Sequence, residues 1–148
     1  MSGVESMTTV SVTESEHDLE WLLANLQTRT PGVRHVLVLS KDGLRLCFTD
    51  DLDTDKADQL SAIASGIQSL ALSASAEFGT GLGSGQSMVE FSGGVLLIVP
   101  AGEGAHLAVV AADEADVGLI GHNMSELVEQ IGGHLTSPPR QREDDQVS

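Results

Sequence analysis

The sequence is poor in the residue types on which many binding and catalytic sites depend. Its 148 residues include one cysteine, Cys47, one tryptophan, three phenylalanines and no tyrosine. A single cysteine excludes an intramolecular disulfide and suits a reducing compartment. With 41% hydrophobic residues but so few aromatic ones, the chain can form one domain with an aliphatic core.

Positive charge is also scarce. Seven Lys and Arg residues oppose 22 Asp and Glu residues, for a formal net charge of −15. Such a surface repels phosphate backbones and anionic headgroups, which disfavours nucleic acid and membrane partners and favours a partner with a basic patch. No basic stretch followed by an apolar run marks a signal peptide, and no segment suits membrane insertion. The sequence therefore predicts a soluble cytoplasmic protein.

The N-terminal half of the chain predicts a helix followed by a hairpin. Residues 1–13 show no helical period and are expected to be flexible. Thr13 and Glu16 have the spacing of a capping box, and leucines at 19, 22, 23 and 26 predict an amphipathic helix that ends before Pro31. A strand over Val33–Ser40 turns at an Asp-Gly pair into a strand over Leu44–Thr49. Strict alternation would place Leu44, Leu46 and Phe48 on one face, and Arg45, Cys47 and Thr49 on the other.

The C-terminal half predicts a long helix, a meander and a last helix. Aspartates over 50–55 offer N-caps for a helix at 55–78, and a glycine-rich loop follows at 79–85. Strands at 86–91, 95–100 and 105–112 are joined by short turns, so they form an antiparallel meander. The last helix carries one apolar stripe, formed by Val117, Ile120, Met124, Leu127, Ile131 and Leu135, before a disordered acidic tail at 137–148. The order αββαβββα predicts an α+β domain.

The long helix has no charged face, since residues 59–76 contain no charged side chain. Helical geometry groups Leu60, Ile63, Ile67, Leu70, Ala71, Ala74 and Phe78 on one arc, which we expect to cover the sheet. The other arc holds Ser61, Ala62, Ser65, Gly66, Ser69, Ser73 and Ala76. Small uncharged residues there allow close contact with another chain, and a twofold copy is the commonest choice. The alternative is a plain, solvent-exposed Ala/Ser surface.

No motif indicates catalysis, a cofactor or a metal. The glycines at 79, 81, 83 and 85 match neither the dinucleotide nor the P-loop pattern. The five histidines lack metal-ligand spacing, and Cys47 has no histidine in its own hairpin. We therefore predict no catalytic residue, no metal site and no cofactor.

Four segments, in this order and spacing, resemble the roadblock/dynein light chain family, particularly its actinobacterial members. They are PGVRHVLVLSKDGL from Pro31, LSAIASGIQSLALSASAEFG from Leu60, MVEFSGGVLLIVPAGEGAHLAVVA from Met88 and ADVGLIGHNM from Ala115. The resemblance covers residues 14–136. It implies a profilin-like, five-stranded antiparallel sheet flanked by three helices, with the second helix on one face and the other two opposite.

The resemblance also implies a function. Family members dimerise through the second helix and the neighbouring third-strand edge, and they regulate or scaffold Ras-like small GTPases. A sensor-kinase-like protein is a further candidate partner, because actinobacterial members are encoded beside one. The predicted interface combines the small residues of the helix with the strand edge: Ser61, Ala62, Ser65, Gly66, Ser69, Ser73, Ala76, Met88 and Glu90.

The sequence leaves open the mechanism of GTPase regulation and one alternative function. Stimulation of GTP hydrolysis can use an arginine supplied by the regulator, but Arg29, Arg34 and Arg45 lie in no obviously projecting loop. We therefore expect scaffolding or ordering of the GTPase. The alternative function is a small-molecule sensor of PAS- or GAF-like type, which the lack of aromatic or charged anchors on the strands disfavours.

Overall fold

The computed structural model describes residues 18–135. The flexible segment predicted at 1–13, the capping box of Thr13 and Glu16 and the tail predicted at 137–148 lie outside this range. Helix α1 spans 18–29. The other elements are β1 Val33–Ser40, β2 Arg45–Phe48, α2 Thr54–Phe78, β3 Ser87–Phe91, β4 Gly94–Pro100, β5 Ala105–Ala112 and α3 Val117–Leu135. The predicted order αββαβββα is confirmed.

The strands form one antiparallel sheet in the order β2-β1-β5-β4-β3. Strands β3, β4 and β5 are the predicted meander, and β1 pairs with the free side of β5 along its whole length. This arrangement makes β2 and β3 the two edge strands. The fold is therefore an α+β domain, and among residues 18–135 no further strand pairs with the outer edges of β2 and β3.

The core has two parts, one on each side of the sheet. Helices α1 and α3 pack on one side, where Leu23, Leu26 and Met124 meet Val36 and Leu107. Helix α2 packs alone on the other side, against strand residues Leu37, Leu39, Leu96, Ile98 and Ala108. The distribution of helices agrees with the resemblance, and it leaves α2 without a helical neighbour among residues 18–135.

Helix α3 follows its sequence pattern. The predicted stripe is confirmed at Ile120, Met124, Leu127 and Ile131, all of which are buried. The carboxylate of Asp116 accepts a hydrogen bond from the Leu119 backbone N–H at 3.1 Å, so it caps the start of the helix. Sequence periodicity alone is therefore sufficient to orient α3 on the sheet.

The alternation predicted for β2 is wrong. In its pairing with β1, Leu37 faces Phe48, Val38 faces Cys47 and Leu39 faces Arg45, so Leu46 is an extra residue in a β-bulge. Cys47 is consequently buried on the α1/α3 side, while Leu44 and Leu46 are exposed. Arg45 and Phe48 share the other face, and the Arg45 guanidinium carbon lies 5.5 Å from the centre of the Phe48 ring.

Candidate protein-interaction surface

Helix α2 packs on the sheet mainly through small and polar side chains. The carboxylate of Asp53 caps it as predicted, accepting a hydrogen bond from the Lys56 backbone N–H at 2.8 Å. Its buried residues are Ala57, Leu60, Ser61, Ala64 and Gln68. Alanine at 57 and 64 brings the helix backbone close to the strands, and a short side chain suffices to fill the remaining space. The sheet-facing side of α2 is thus narrow and poor in large apolar groups.

The arc predicted to cover the sheet is therefore wrong for much of its length. Leu60 is buried and Ile67 and Ala71 are half-buried, but Ala74 is exposed. Ile63 is 54%, Leu70 73% and Phe78 90% exposed. The helix is rolled by about a quarter of a turn from the predicted orientation. The physical reason is that hydrophobic periodicity marks every apolar residue of a helix, and here Ile63 and Leu70 lie away from the protomer's own core.

The predicted interface residues of α2 divide between two environments. Ala62, Gly66, Ser69, Ser73 and Ala76 are exposed on the outward side, next to Ile63 and Leu70. Ser61 is only 2% exposed, and Ser65 is half-buried. Ser61 belongs to the inner side of the helix and has no surface to offer a partner. The structure therefore corrects the prediction that Ser61 lies at the interface. No side chain lies within 4 Å of a β-carbon built on Gly66, which therefore opens toward solvent in the protomer.

Strand β3 continues this apolar surface along the edge of the sheet. Val89 pairs with Leu96, whose side chain belongs to the core under α2. Because side chains alternate along a strand, Val89 and Phe91 lie on the α2 side of β3, and both are exposed. Met88 and Glu90, the two β3 residues predicted at the interface, are exposed on the α3 side. The predicted interface did not include Val89 and Phe91, the exposed residues on the α2 side of β3.

Gln68 fixes the relative positions of the helix and the strand. Its side-chain amide donates to the Ser84 hydroxyl at 3.0 Å, and its carbonyl oxygen accepts from the Ser87 hydroxyl at 3.0 Å. One buried amide therefore ties α2 to the glycine-rich loop and to the start of β3. We call the outward side of α2 and the exposed β3 strand together the α2/β3 surface; its large apolar members are Ile63, Leu70, Met88, Val89 and Phe91.

The three arginines considered as donors to a GTPase all lie in regular structure. Arg29, at the end of α1, donates to the Asn25 side chain at 2.9 Å and lies 3.7 Å from the Glu126 carboxylate. Arg45 donates to the Asp58 carboxylate at 2.6 Å. Arg34 is an exposed residue of β1. Two of the three guanidinium groups are thus engaged within the protomer.

Within residues 18–135, no group of three or more His, Cys, Asp or Glu side chains is placed to hold a metal ion. None of the helices in that range combines the length and apolarity needed to cross a membrane. His106 lines a small pocket beside Lys41, Ser65 and Gln68, where burial lowers its pKa from the ordinary value of 6.5.

Comparison with solved structures places this fold among related domains. A crystal structure of a Roadblock/LC7 domain from Streptomyces avermitilis is 38% identical, with a TM-score of 0.76 over 80% of this chain and 98% of that one. The gliding protein MglB of Thermus thermophilus is 17% identical, with a TM-score of 0.72 over 81% and 90% of the two chains. Acanthamoeba castellanii profilin II is 12% identical, with a TM-score of 0.54 over 75% and 94%.

These matches include roadblock and profilin folds and lend no support to the PAS- or GAF-like alternative. No curated protein matches the sequence significantly. The family model of the Roadblock/LC7 domain matches residues 19–111, which run from the first turns of α1 to β5. The chain belongs to the Roadblock/LC7 domain family.

Proposed function

We propose that this protein is a non-catalytic adaptor that forms a homodimer through its α2/β3 surface and binds a Ras-like small GTPase. The observation that carries the proposal is the outward side of α2. Large apolar side chains there, Ile63 and Leu70, meet solvent in the protomer although the protein is strongly acidic. Full burial of such a side chain contributes about 1.5–3 kcal/mol, so a few of them suffice to hold a partner.

A second copy is the partner that fits this surface. Two chains of net charge −15 repel each other, so self-association needs a contact region without charge. Residues 59–76 of α2 provide one. The exposed edge of β3 lies beside the helix and can pair with the same edge of a copy, which is the self-complementary contact that twofold symmetry requires. Gly66 adds a point of close approach between the two helices.

Family membership and charge both favour a small GTPase as the partner. The resemblance to the roadblock family implies regulation of Ras-like GTPases, and the acidic protein favours a partner with a basic patch. Arg29 and Arg45 are held by Asn25, Glu126 and Asp58. Supplying either guanidinium to a GTPase would require breaking these contacts. Scaffolding, or ordering of the GTPase's own groups, therefore remains our proposal for the mechanism.

The dimer can be tested with one leucine substitution in each of two helices. A β-carbon at Gly66 in α2 meets nothing within 4 Å in the protomer. We expect Gly66→Leu to shift the dimer toward monomer in sedimentation velocity, because the added side chain keeps two α2 helices apart. Ala24→Leu, at an exposed alanine of α1, is the control and leaves the dimer intact. A Gly66→Leu protein that stays dimeric would place the interface elsewhere.

The GTPase is tested by single-turnover GTP hydrolysis and by binding. We expect the wild-type chain to bind a GTP-loaded Ras-like small GTPase from the same organism. The variants Arg29→Ala, Arg34→Ala and Arg45→Ala are expected to change any stimulation of hydrolysis by less than about threefold, against the 10³–10⁵-fold effect of a catalytic arginine. A collapse of stimulation in one variant would refute ordering as the mechanism, and absence of binding would refute the GTPase as partner.

A further inference from the structure

The edge of the sheet opposite the α2/β3 surface carries a groove that the proposed function does not use. It has a volume of about 650 Å³ and lies where α1 passes beside β2 and the β2–α2 connection. Its lining residues are Asp18, Glu20, Trp21, Ala24, Gln27, Phe48, Asp50 and Asp51. Because β2 and β3 are the two edges of the five-stranded sheet, this groove is separated from the α2/β3 surface by the width of the sheet.

Aromatic side chains form part of the groove. Trp21, the one tryptophan of the sequence, is 63% exposed although it is the largest apolar side chain present. Phe48 is half-buried, and one side of its ring is covered by Arg45. The exposed tryptophan ring offers a face on which a cationic side chain can stack. Trp21 on α1 and Phe48 on β2 thus line a groove that has room for a side chain.

The remaining lining is strongly acidic. Four of the eight lining residues are carboxylates, and none is lysine or arginine. Gln27 helps to hold one wall, because its side-chain amide donates to the Arg34 carbonyl at 2.7 Å and to the Asp51 carboxylate at 3.2 Å. A guanidinium or ammonium group entering the groove would therefore meet an aromatic face and carboxylates at the same time, a combination that selects cations over neutral groups.

The strand beside the groove suits an extended chain. Strand β2 has four residues and pairs on one side with β1, and within residues 18–135 no strand pairs with its other edge. Leu44 and Leu46 are exposed at this edge. An added strand would gain backbone hydrogen bonds from the edge, and alternate side chains would reach the groove.

We propose that this groove and the β2 edge bind an extended, arginine- or lysine-bearing segment of a partner protein. The proposal does not depend on the α2/β3 dimer. Residues 1–17 of the chain are a poor occupant, because they contain no lysine or arginine and include three glutamates, Glu5, Glu14 and Glu16. The C-terminal residues include Arg140 and Arg142, and a variant in the test addresses them directly.

The test uses hexa-arginine as the probe with the full chain. Binding is followed by the emission of Trp21, the one tryptophan present, and by calorimetry. We expect Glu20→Gln combined with Asp50→Asn, one residue from each wall, to weaken binding roughly fivefold. The matched control is Glu103→Gln with Asp113→Asn, which removes two exposed charges from the turns before and after the central strand β5. The control is expected to weaken binding less than twofold.

Further variants separate the groove from general attraction to an acidic protein. Trp21→Ala keeps every charge, and calorimetry is expected to show roughly threefold weaker binding. Equal losses in the groove pair and the control pair, or full affinity in Trp21→Ala, would overturn the proposal. Arg140→Ala with Arg142→Ala is expected to bind the probe as the wild type does. Markedly tighter binding by that variant would assign the groove to the protein's own C-terminal residues and overturn the assignment to a partner.

Discussion

Helices α2 and α3 cover opposite sides of the same sheet, yet they use their apolar residues in opposite ways. Helix α3 buries Ile120, Met124, Leu127 and Ile131 and so follows the usual amphipathic pattern. Helix α2 buries Ala57, Ala64 and polar residues, and leaves Ile63, Leu70 and Phe78 outside. The difference teaches that an apolar stripe need not mark the face toward the protomer's own core; on α2, Ile63 and Leu70 lie on the side that we propose a second copy covers.

The largest expected effect contrasts one leucine from each helix. Leu127 in α3 is 1% exposed, and Leu127→Ala is expected to reduce the free energy of unfolding by about 2–5 kcal/mol, because it leaves a cavity in the core. Leu70 in α2 is exposed, and Leu70→Ala should change the unfolding free energy of the isolated protomer by less than about 0.5 kcal/mol. Urea titration at low protein concentration measures both. Similar losses in the two variants would erase the distinction between the helices.

A second prediction sharpens the description of the inner side of α2. Ala64 is fully buried between the helix and the sheet, so Ala64→Leu overpacks the contact and is expected to cost about 1–3 kcal/mol of stability. Ala24→Leu, at an exposed alanine of α1, is the control and should change stability by less than about 0.5 kcal/mol. If Ala64→Leu left the free energy of unfolding in urea unchanged, the description of α2 as closely packed through its small residues would be wrong.

The smallest expected effect concerns His106, which lies at the pocket beside α2. Burial lowers its pKa below the ordinary value of 6.5, so the unfolded chain binds the proton more readily than the folded one. The resulting stability is complete above pH 6.5 and is lost as the pH falls below that value. We expect His106→Gln to reduce the loss of stability between pH 7.5 and pH 5.5. The matched control is Ser65→Ala, in the same pocket, which leaves every histidine in place.

Urea unfolding at the two pH values measures this difference, and the control should lose stability as the wild type does. An identical pH dependence in wild type and His106→Gln would contradict the stated direction.

Much of the fold was predictable from the sequence because local signals and global packing agree. The order of elements, the Asp53 cap of α2 and the stripe of α3 follow from periodicity and capping chemistry. The orientation of α2 was not predictable in this way, because apolar residues occur on both sides of the helix and small residues, Ala57 and Ala64, form the contact with the sheet. The predicted alternation of side chains along β2 was wrong because nothing in its sequence marks Leu46 as the bulged residue. The groove beside Trp21 was missed because it joins α1 to β2 residues more than twenty positions away in sequence.

The most direct test of the proposed α2/β3 dimer is the mass of the full chain by light scattering, measured for wild type and Leu70→Glu. We predict about 31 kDa for wild type, twice the 15.4 kDa of one chain, and 15.4 kDa for Leu70→Glu, since a buried unpaired carboxylate is costly at an apolar contact. Leu44→Glu, at an exposed leucine on the opposite sheet edge, should keep the dimer mass. A wild-type protein of 15.4 kDa at micromolar concentration would contradict the claim that a second copy covers α2.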